Sequence, residues 1–388
     1  MERILRFPQN FLWGCATSAY QVEGGIKNAD WSKFKDAGIA CDHYHRYEQD
    51  FDLLEKLNQN AYRFSIEWSR IEAREAEFNE KEIQHYKRML LSLRKRQIKA
   101  MVTLHHFTVP LWMAKKGGWE NKKSIFYFSR FCKKIMYELG DLVDFWITIN
   151  EPLIYAKASY LEGRWPPAKK NFLSFMKVIK NQIEAHKRVY FEFHQINKEV
   201  KVGLAKNNSF FEPFNPKSPF DKFSSYFASY FGNNFFLDKI RNQLDFIGLN
   251  YYFHNRIKFP FYIKNENKIV SDLGWEVFPE GIYHVLKDLK RYKKTIFITE
   301  NGVADANDIL RKDFIKQHLY QIYRAIKDGV SVEGYFHWSL MDNFEWEKGF
   351  EPRFGLIAID YNTLERKPRP SAFYYANISK ENALIVEY

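Results

Sequence analysis

Cysteine is scarce in this chain. Cys15, Cys41 and Cys132 are the three, widely spaced and without a C-x-x-C pair. An odd count at such spacing excludes a disulfide framework and a structural zinc site, and it predicts reduced thiols. No run of 18 apolar residues occurs, so no membrane-spanning helix is predicted and no membrane partner is expected. The opening Met1-Glu2-Arg3-Ile4-Leu5-Arg6 lacks the apolar core of a secretory leader, and a cytoplasmic location is expected. There is no linker and no low-complexity tract. Lys and Arg number 59 against 47 Asp and Glu, a formal charge of +12. No basic block carries the regular aromatic interleaving of a nucleic-acid platform, so the surplus reads as solvated lysine on outer helices rather than as an anionic partner's footprint.

What the chain has is alternation. Strand-like segments fall at Phe11 to Ala16, Ala61 to Ile66, Met101 to Leu104, Phe145 to Ile149, Val202 to Ala205, Phe246 to Leu249, Ile296 to Thr299 and Val332 to Trp338. Helical stripes stand between several of them. Tyr47, Phe51, Leu54 and Leu57 form one; Ile83, Tyr86, Leu90 and Leu93 form another, with Asn79 as its N-cap. A long helix is expected near Phe175 to Ile196, and one with Ile315, Leu319, Ile322 and Ile326 closes at Gly329. Eight such units in 388 residues predict one α/β domain, a single (β/α)8 TIM barrel over residues 1–388, with its active site at the C-terminal ends of the strands.

Those ends are rich in chemistry. Ile296-Phe297-Ile298-Thr299 runs into Glu300-Asn301-Gly302, and Phe145-Trp146-Ile147-Thr148-Ile149 runs into Asn150-Glu151-Pro152. Two strands that each end in a glutamate predict two carboxylates at one mouth, the pairing used in glycoside hydrolysis. Gln21, Glu23, Arg63, Glu67, His105, His106, Asn250, Tyr251, Tyr252, Trp338, Glu345 and Trp346 also fall at or just after strand ends. Carboxylates, amides, histidine and tryptophan suit sugar hydroxyls and sugar C–H faces. Strand alternation turns His105 away from the mouth. His186 reads as helix packing. His43, His45 and Cys41 lack a fourth partner at ligand spacing, so no metal is expected.

The chain resembles glycoside hydrolase family 1, the β-glucosidase and β-glycosidase family. The likeness runs from Phe7-Pro8-Gln9-Asn10-Phe11-Leu12-Trp13-Gly14 to Lys367-Pro368-Arg369-Pro370-Ser371. Between them stand Ser18 to Gly24, Tyr62 to Trp68, Thr103 to Phe107, Gly117-Gly118-Trp119, Thr148 to Pro152, Phe246 to Tyr252, Ile298 to Gly302 and Trp338 to Trp346. The resemblance implies a retaining β-glycosidase, most simply a β-glucosidase with β-galactosidase or β-fucosidase side activity, and no cofactor. It makes Glu300 the nucleophile and Glu151 the acid/base. Arg63 and Tyr252 are expected to hold Glu300 ionised, although Arg63 could instead pair with Glu67. Asn150 is expected on the 2-hydroxyl; Gln21, His106, Glu345 and Trp346 on the outer hydroxyls; Trp338 beneath the ring; and Trp119 in support of the sugar site.

The stretch between Asn207 and Leu244 is short for that family and dense in Phe and Ser, which predicts an open, apolar entrance for varied leaving groups or a surface for a second subunit. The 6-phospho-β-glycosidase branch carries a Ser, Lys, Tyr set after the eighth strand. Here Glu345, Trp346, Pro352 and Phe354 occupy that region, and a carboxylate repels a phosphate. A transglycosylating or carbohydrate-binding barrel is the reading from another class. Glycone preference stays open between gluco, galacto and fuco.

Overall fold

Every residue of the Ala61–Ser65 and Val202–Asn207 strands is buried, as a parallel strand must be when packed on both faces. The computed structural model, which describes residues 2–387, closes eight such strands into one barrel. They are β1 (Leu12–Ala16), β2 (Ala61–Ser65), β3 (Lys99–His105), β4 (Phe145–Asn150), β5 (Val202–Asn207), β6 (Phe246–Asn250), β7 (Thr295–Asn301) and β8 (Val332–Trp338). They are parallel and neighbour one another in chain order, and β8 pairs back onto β1. A helix follows each strand: α1 (His43–Lys56), α2 (Glu80–Lys95), α3 (Ser124–Leu139), α4 (Phe172–Ile196), α5 (Pro219–Ser229), α6 (Glu280–Leu289), α7 (Arg311–Lys327) and α8 (Pro370–Glu381). This is the TIM barrel.

The helix ends follow from single residues. Asn79 caps α2, its side chain accepting the Lys81 N–H at 3.1 Å. Gly329 follows α7 at φ +77°, where a side chain would be strained. Helix α4 starts three residues before the apolar stripe suggests. Asn171 caps it by accepting the Ser174 N–H at 2.9 Å, and its first turn exposes Phe172 and Leu173.

Two apolar layers hold the barrel. The larger lies between strands and helices. The smaller fills the interior with Ala16, Ala61, Met101, Ile147, Ala205, Phe246, Phe297 and Phe336. Small residues opposite large ones let the rings interdigitate. At Gly203 a Cβ would stand 2.6 Å from the Phe246 ring, so glycine is what admits that ring.

Among the described residues, three small sheets lie outside the barrel. Glu2–Arg6 pairs antiparallel with Ala383–Glu387, joining the two ends of the chain. Ile357–Ile359 pairs with Arg366–Pro368. Phe210–Pro213, His254–Lys258 and Tyr262–Ile263 form the third. The short segment after β5 is therefore structured: strand Phe210–Pro213, α5, a π-helical turn at Tyr230–Asn234 and a helix at Phe235–Ile240.

Candidate active site

Arg63 projects from β2 and is fully buried. Its Nη1 donates to Glu300 Oε1 at 2.6 Å and to the Thr299 carbonyl at 3.0 Å. Its Nη2 donates to Asn150 Oδ1 at 2.7 Å, and its Nε to Thr103 Oγ1 at 3.2 Å. The guanidinium thus ties β2, β3, β4 and β7 at their C-terminal ends. Glu67 is engaged elsewhere, accepting from Ser69 and Thr108. Tyr252 donates its hydroxyl to Glu300 Oε2 at 2.8 Å.

Glu151 faces different partners. The Asn250 amide donates to its Oε1 at 2.8 Å and the Asn207 amide at 3.3 Å. Thr299 Oγ1 fixes that Asn250 amide by donating to Asn250 Oδ1 at 2.7 Å. The same Asn250 amide donates to Asn150 Oδ1 at 3.1 Å, the oxygen that Arg63 also holds.

Burial pushes Glu151 up to about 7, and the charge of Glu300 adds to the shift. Burial pushes Glu300 up too, but Arg63, Tyr252 and Asn250 all oppose it. Among the described residues Arg63 forms an ion pair with Glu300 alone, and that pairing favours the ionised form of Glu300. Of the two, Glu151 is thus the carboxyl more readily protonated.

Both glutamates line a cavity of about 590 Å³ with Gln21, His106, Asn150, Tyr252, Trp338, Glu345 and Trp346. The His106 ring lies nearly parallel to Trp338 (5.9 Å, 21°) and to Trp346 (6.2 Å, 16°). Its Nε2 accepts the Asn150 amide at 3.2 Å, while its buried Nδ1 has no protein partner. Burial, with Arg63 nearby, lowers the His106 pKa far enough to keep the ring neutral. Glu345 accepts the Trp338 indole N–H at 3.2 Å, and burial pushes its pKa up to about 8. Gln21 donates to Asn343 Oδ1 and the Phe344 carbonyl, which fixes its amide. Phe107, Glu151 and Trp346 hold positive φ of 73°, 44° and 52°. Each costs on the order of 1–3 kcal/mol, and such strain gathers at functional sites.

Trp119 lies deeper than the other expected sugar-site residues. It is fully buried and does not line the cavity. Its indole N–H donates to His105 Nε2 at 3.0 Å. His105 points outward from β3, so its partner must lie in the layer between strands and helices. Trp119 therefore sits behind the site, bonded to His105, the chain neighbour of the cavity residue His106.

His43, His45 and Cys41 have separate partners in Asp50, Asp42 and the Asp342 carbonyl. His186 is more than packing: it contacts Thr148 Oγ1 at 2.7 Å and the Gln243 carbonyl at 2.6 Å.

The cavity also holds residues that the sequence did not single out as site residues. Lys206 and Asn207 end β5, where the apolar strand pattern stops two residues earlier. Lys206 is buried, donates to the carbonyls of Asn207 and Gly232 at 2.5 Å each, and is pulled down to about 7 by burial. Asn250 was visible only as a strand end. Phe107, Trp165, Trp275 and Phe354 add aromatic wall; no local pattern marks Trp165 and Trp275.

The sequence profile of glycosyl hydrolase family 1 matches residues 4–242 and 237–384. Beta-glucosidase A of Thermotoga maritima is 34% identical over 442 aligned positions, covering 98% of this chain and 99% of that protein. Since 442 exceeds the chain's 388 residues, that relative has stretches with no counterpart here. A beta-galactosidase of Pyrococcus woesei is 30% identical, with 94% of each chain covered. Among solved structures, a beta-glycosidase from Pyrococcus horikoshii superposes with a TM-score of 0.94 at 38% identity, covering 98% of this chain and 96% of that one. The Thermotoga maritima beta-glucosidase in complex with glucoimidazole gives 0.92 at 33%, covering 97% and 99%. The chain belongs to glycosyl hydrolase family 1, whose members cleave glycosidic bonds.

Proposed function

We propose that this β-glycosidase acts by double displacement with retention, and that its preferred glycone is a terminal, neutral β-D-glucosyl residue. The asymmetry of the two carboxylates carries the reading. Glu300 is paired with a buried guanidinium and stays ionised, as a nucleophile must. Glu151 meets amides only and keeps its proton near neutral pH, as an acid must. Arg63 ties Glu300 to Asn150, and the Asn250 amide ties Asn150 to Glu151, which keeps the carboxyl groups close and favours direct attack over a water held between them.

In the first step Glu300 attacks the anomeric carbon while Glu151 protonates the leaving oxygen. Esterification removes the Glu300 charge, so the Glu151 pKa falls and Glu151 becomes a base. It then deprotonates the water that frees the sugar. Asn150, clamped between Arg63 and His106, holds the 2-hydroxyl. His106 Nδ1, Gln21 and Glu345 take the outer hydroxyls, Trp346 borders them, and Trp338 lies under the ring. The leaving group extends towards Met176, Phe211, Phe231, Phe235 and Ile263. The names of the relatives and the glucoimidazole complex support the glucoside.

The test is hydrolysis of p-nitrophenyl β-D-glucoside followed by proton NMR. β-Glucose is expected as the first-formed anomer, with the galactoside and fucoside slower and the 6-phosphoglucoside inert. First-formed α-glucose would overturn retention; a faster 6-phosphoglucoside would overturn the neutral glycone.

The pH dependence follows from Glu151. The acid must be protonated to act, so kcat/KM is expected to fall as pH rises through about 7. Lys206 holds the Glu151 pKa down, so Lys206→Met is expected to move that limb upward. A pH–rate profile on an unactivated alkyl glucoside measures both.

A further inference from the structure

Helix α5 is amphipathic in the reverse sense. It buries Asp221, Ser224 and Ser225 and exposes Phe220, Phe223, Tyr226 and Phe227, with Tyr226 at 74%. Its polar side is held in place: Asp221 accepts the N–H groups of Asn215 and Phe259, and Ser218 caps the first turn. The apolar side therefore faces outward as part of a satisfied structure.

The exposed rings pack in two groups along the helix and the loop beside it. Phe223 meets Phe227 at 6.2 Å, Phe227 meets Phe231 at 4.6 Å and Phe261 at 5.9 Å, and Phe220 meets Phe259 at 5.4 Å. Tyr262 and Ile263 extend the face along the neighbouring hairpin. Phe231 and Ile263 also line the active-site cavity, so the face runs up to the cavity's mouth.

The unpaired charge beside this face is of one sign. Lys217, Lys222, Lys258 and Lys264 are exposed around it, and among the described residues no carboxylate pairs with them. The neighbouring acids are engaged: Glu212 and Glu266 with Arg256, Glu266 with Lys268.

We propose that the outer face of α5 and the adjoining hairpin rest on a membrane surface bearing anionic headgroups. Aromatic rings suit the boundary between headgroups and acyl chains, and flanking lysines add attraction to anionic lipid. A second copy on a two-fold axis would set the same lysines against one another. No helix of the described residues is long and apolar enough to cross a membrane, so the contact is peripheral. The cavity mouth then opens at the lipid boundary, where a glycoside anchored by an alkyl chain is presented. That consequence rests on the glycosidase reading; the contact itself does not.

The experiment is co-sedimentation of the full chain with vesicles of phosphatidylcholine and phosphatidylglycerol in equal parts, and of phosphatidylcholine alone. Wild type is expected to sediment with the anionic vesicles and to be released by salt. The triple variant Phe220→Ser, Phe223→Ser, Tyr226→Ser is expected to lose roughly tenfold or more in partitioning. Each of Lys217→Ala, Lys222→Ala and Lys258→Ala is expected to lose roughly fivefold on anionic vesicles only. None of these residues lines the cavity, so hydrolysis of the soluble p-nitrophenyl glucoside should stay unchanged, which also reports that each variant folds. The proposal fails if wild type stays in the supernatant, or if the aromatic variant sediments as wild type does. It also fails if ultracentrifugation finds a dimer that the triple variant dissolves while vesicles are ignored.

Discussion

Glu300→Gly is expected to lower kcat on p-nitrophenyl β-D-glucoside by roughly 10⁴-fold or more, because the covalent step has no nucleophile. The glycine leaves a space bounded by Arg63 and the Tyr252 hydroxyl, two donors that had both aimed at the lost carboxylate. The guanidinium is fully buried, and a buried charge stripped of its partner destabilises by about 3–5 kcal/mol. A small anion entering the space relieves that penalty and takes up the nucleophile's position. Azide should therefore restore turnover and raise the melting temperature together, and the product should be the α-glucosyl azide. Formate should restore turnover as a carboxylate surrogate. Activity that survives in the variant would remove Glu300 from the nucleophile's role. A β-configured azide would place the attacking anion on the wrong face.

The place of Glu300 is legible because the apolar run before it is short and stops at a carboxylate followed by Asn-Gly. A buried parallel strand writes such a signature in consecutive residues. Asn79 is legible for a similar reason: a cap is a local bond. The Asn250 amide is harder, since its contact with Glu151 joins β6 to the end of β4, 99 residues away. The depth of Trp119 was not legible because Gly118–Glu120 folds as a short 3₁₀ turn outside the strands, where no strand parity says which way the ring turns. Lys206 and Asn207 were hidden by polarity, since β5 continues past its last apolar residue. Helix α5 shows a deeper limit. The spacing of Phe220, Phe223 and Phe227 says that they share a face, but periodicity does not say whether that face turns inward. The tie of Asp221 to Asn215 and Phe259 decides it.

Glu151→Ala separates the two steps that Glu300→Gly merges. A dinitrophenyl leaving group departs without protonation, so its glycosylation should proceed at close to the wild-type rate. An alkyl glucoside needs the proton, and its kcat/KM should fall by roughly 10²–10⁴-fold. With the dinitrophenyl substrate the second step becomes slow, because no base activates water, and a burst of dinitrophenol should precede a slow steady state. Azide needs no deprotonation. It should speed that steady state from the side Glu151 vacates, giving the β-glucosyl azide, the opposite anomer from that of Glu300→Gly. Because the group that burial pushes up to about 7 is gone, the alkaline limb of the pH profile should vanish with it. An equal loss on both leaving groups, with the limb near 7 intact, would mean that the proton comes from elsewhere. Lys206 is the other cavity group brought to about 7, and it would then be the residue to replace.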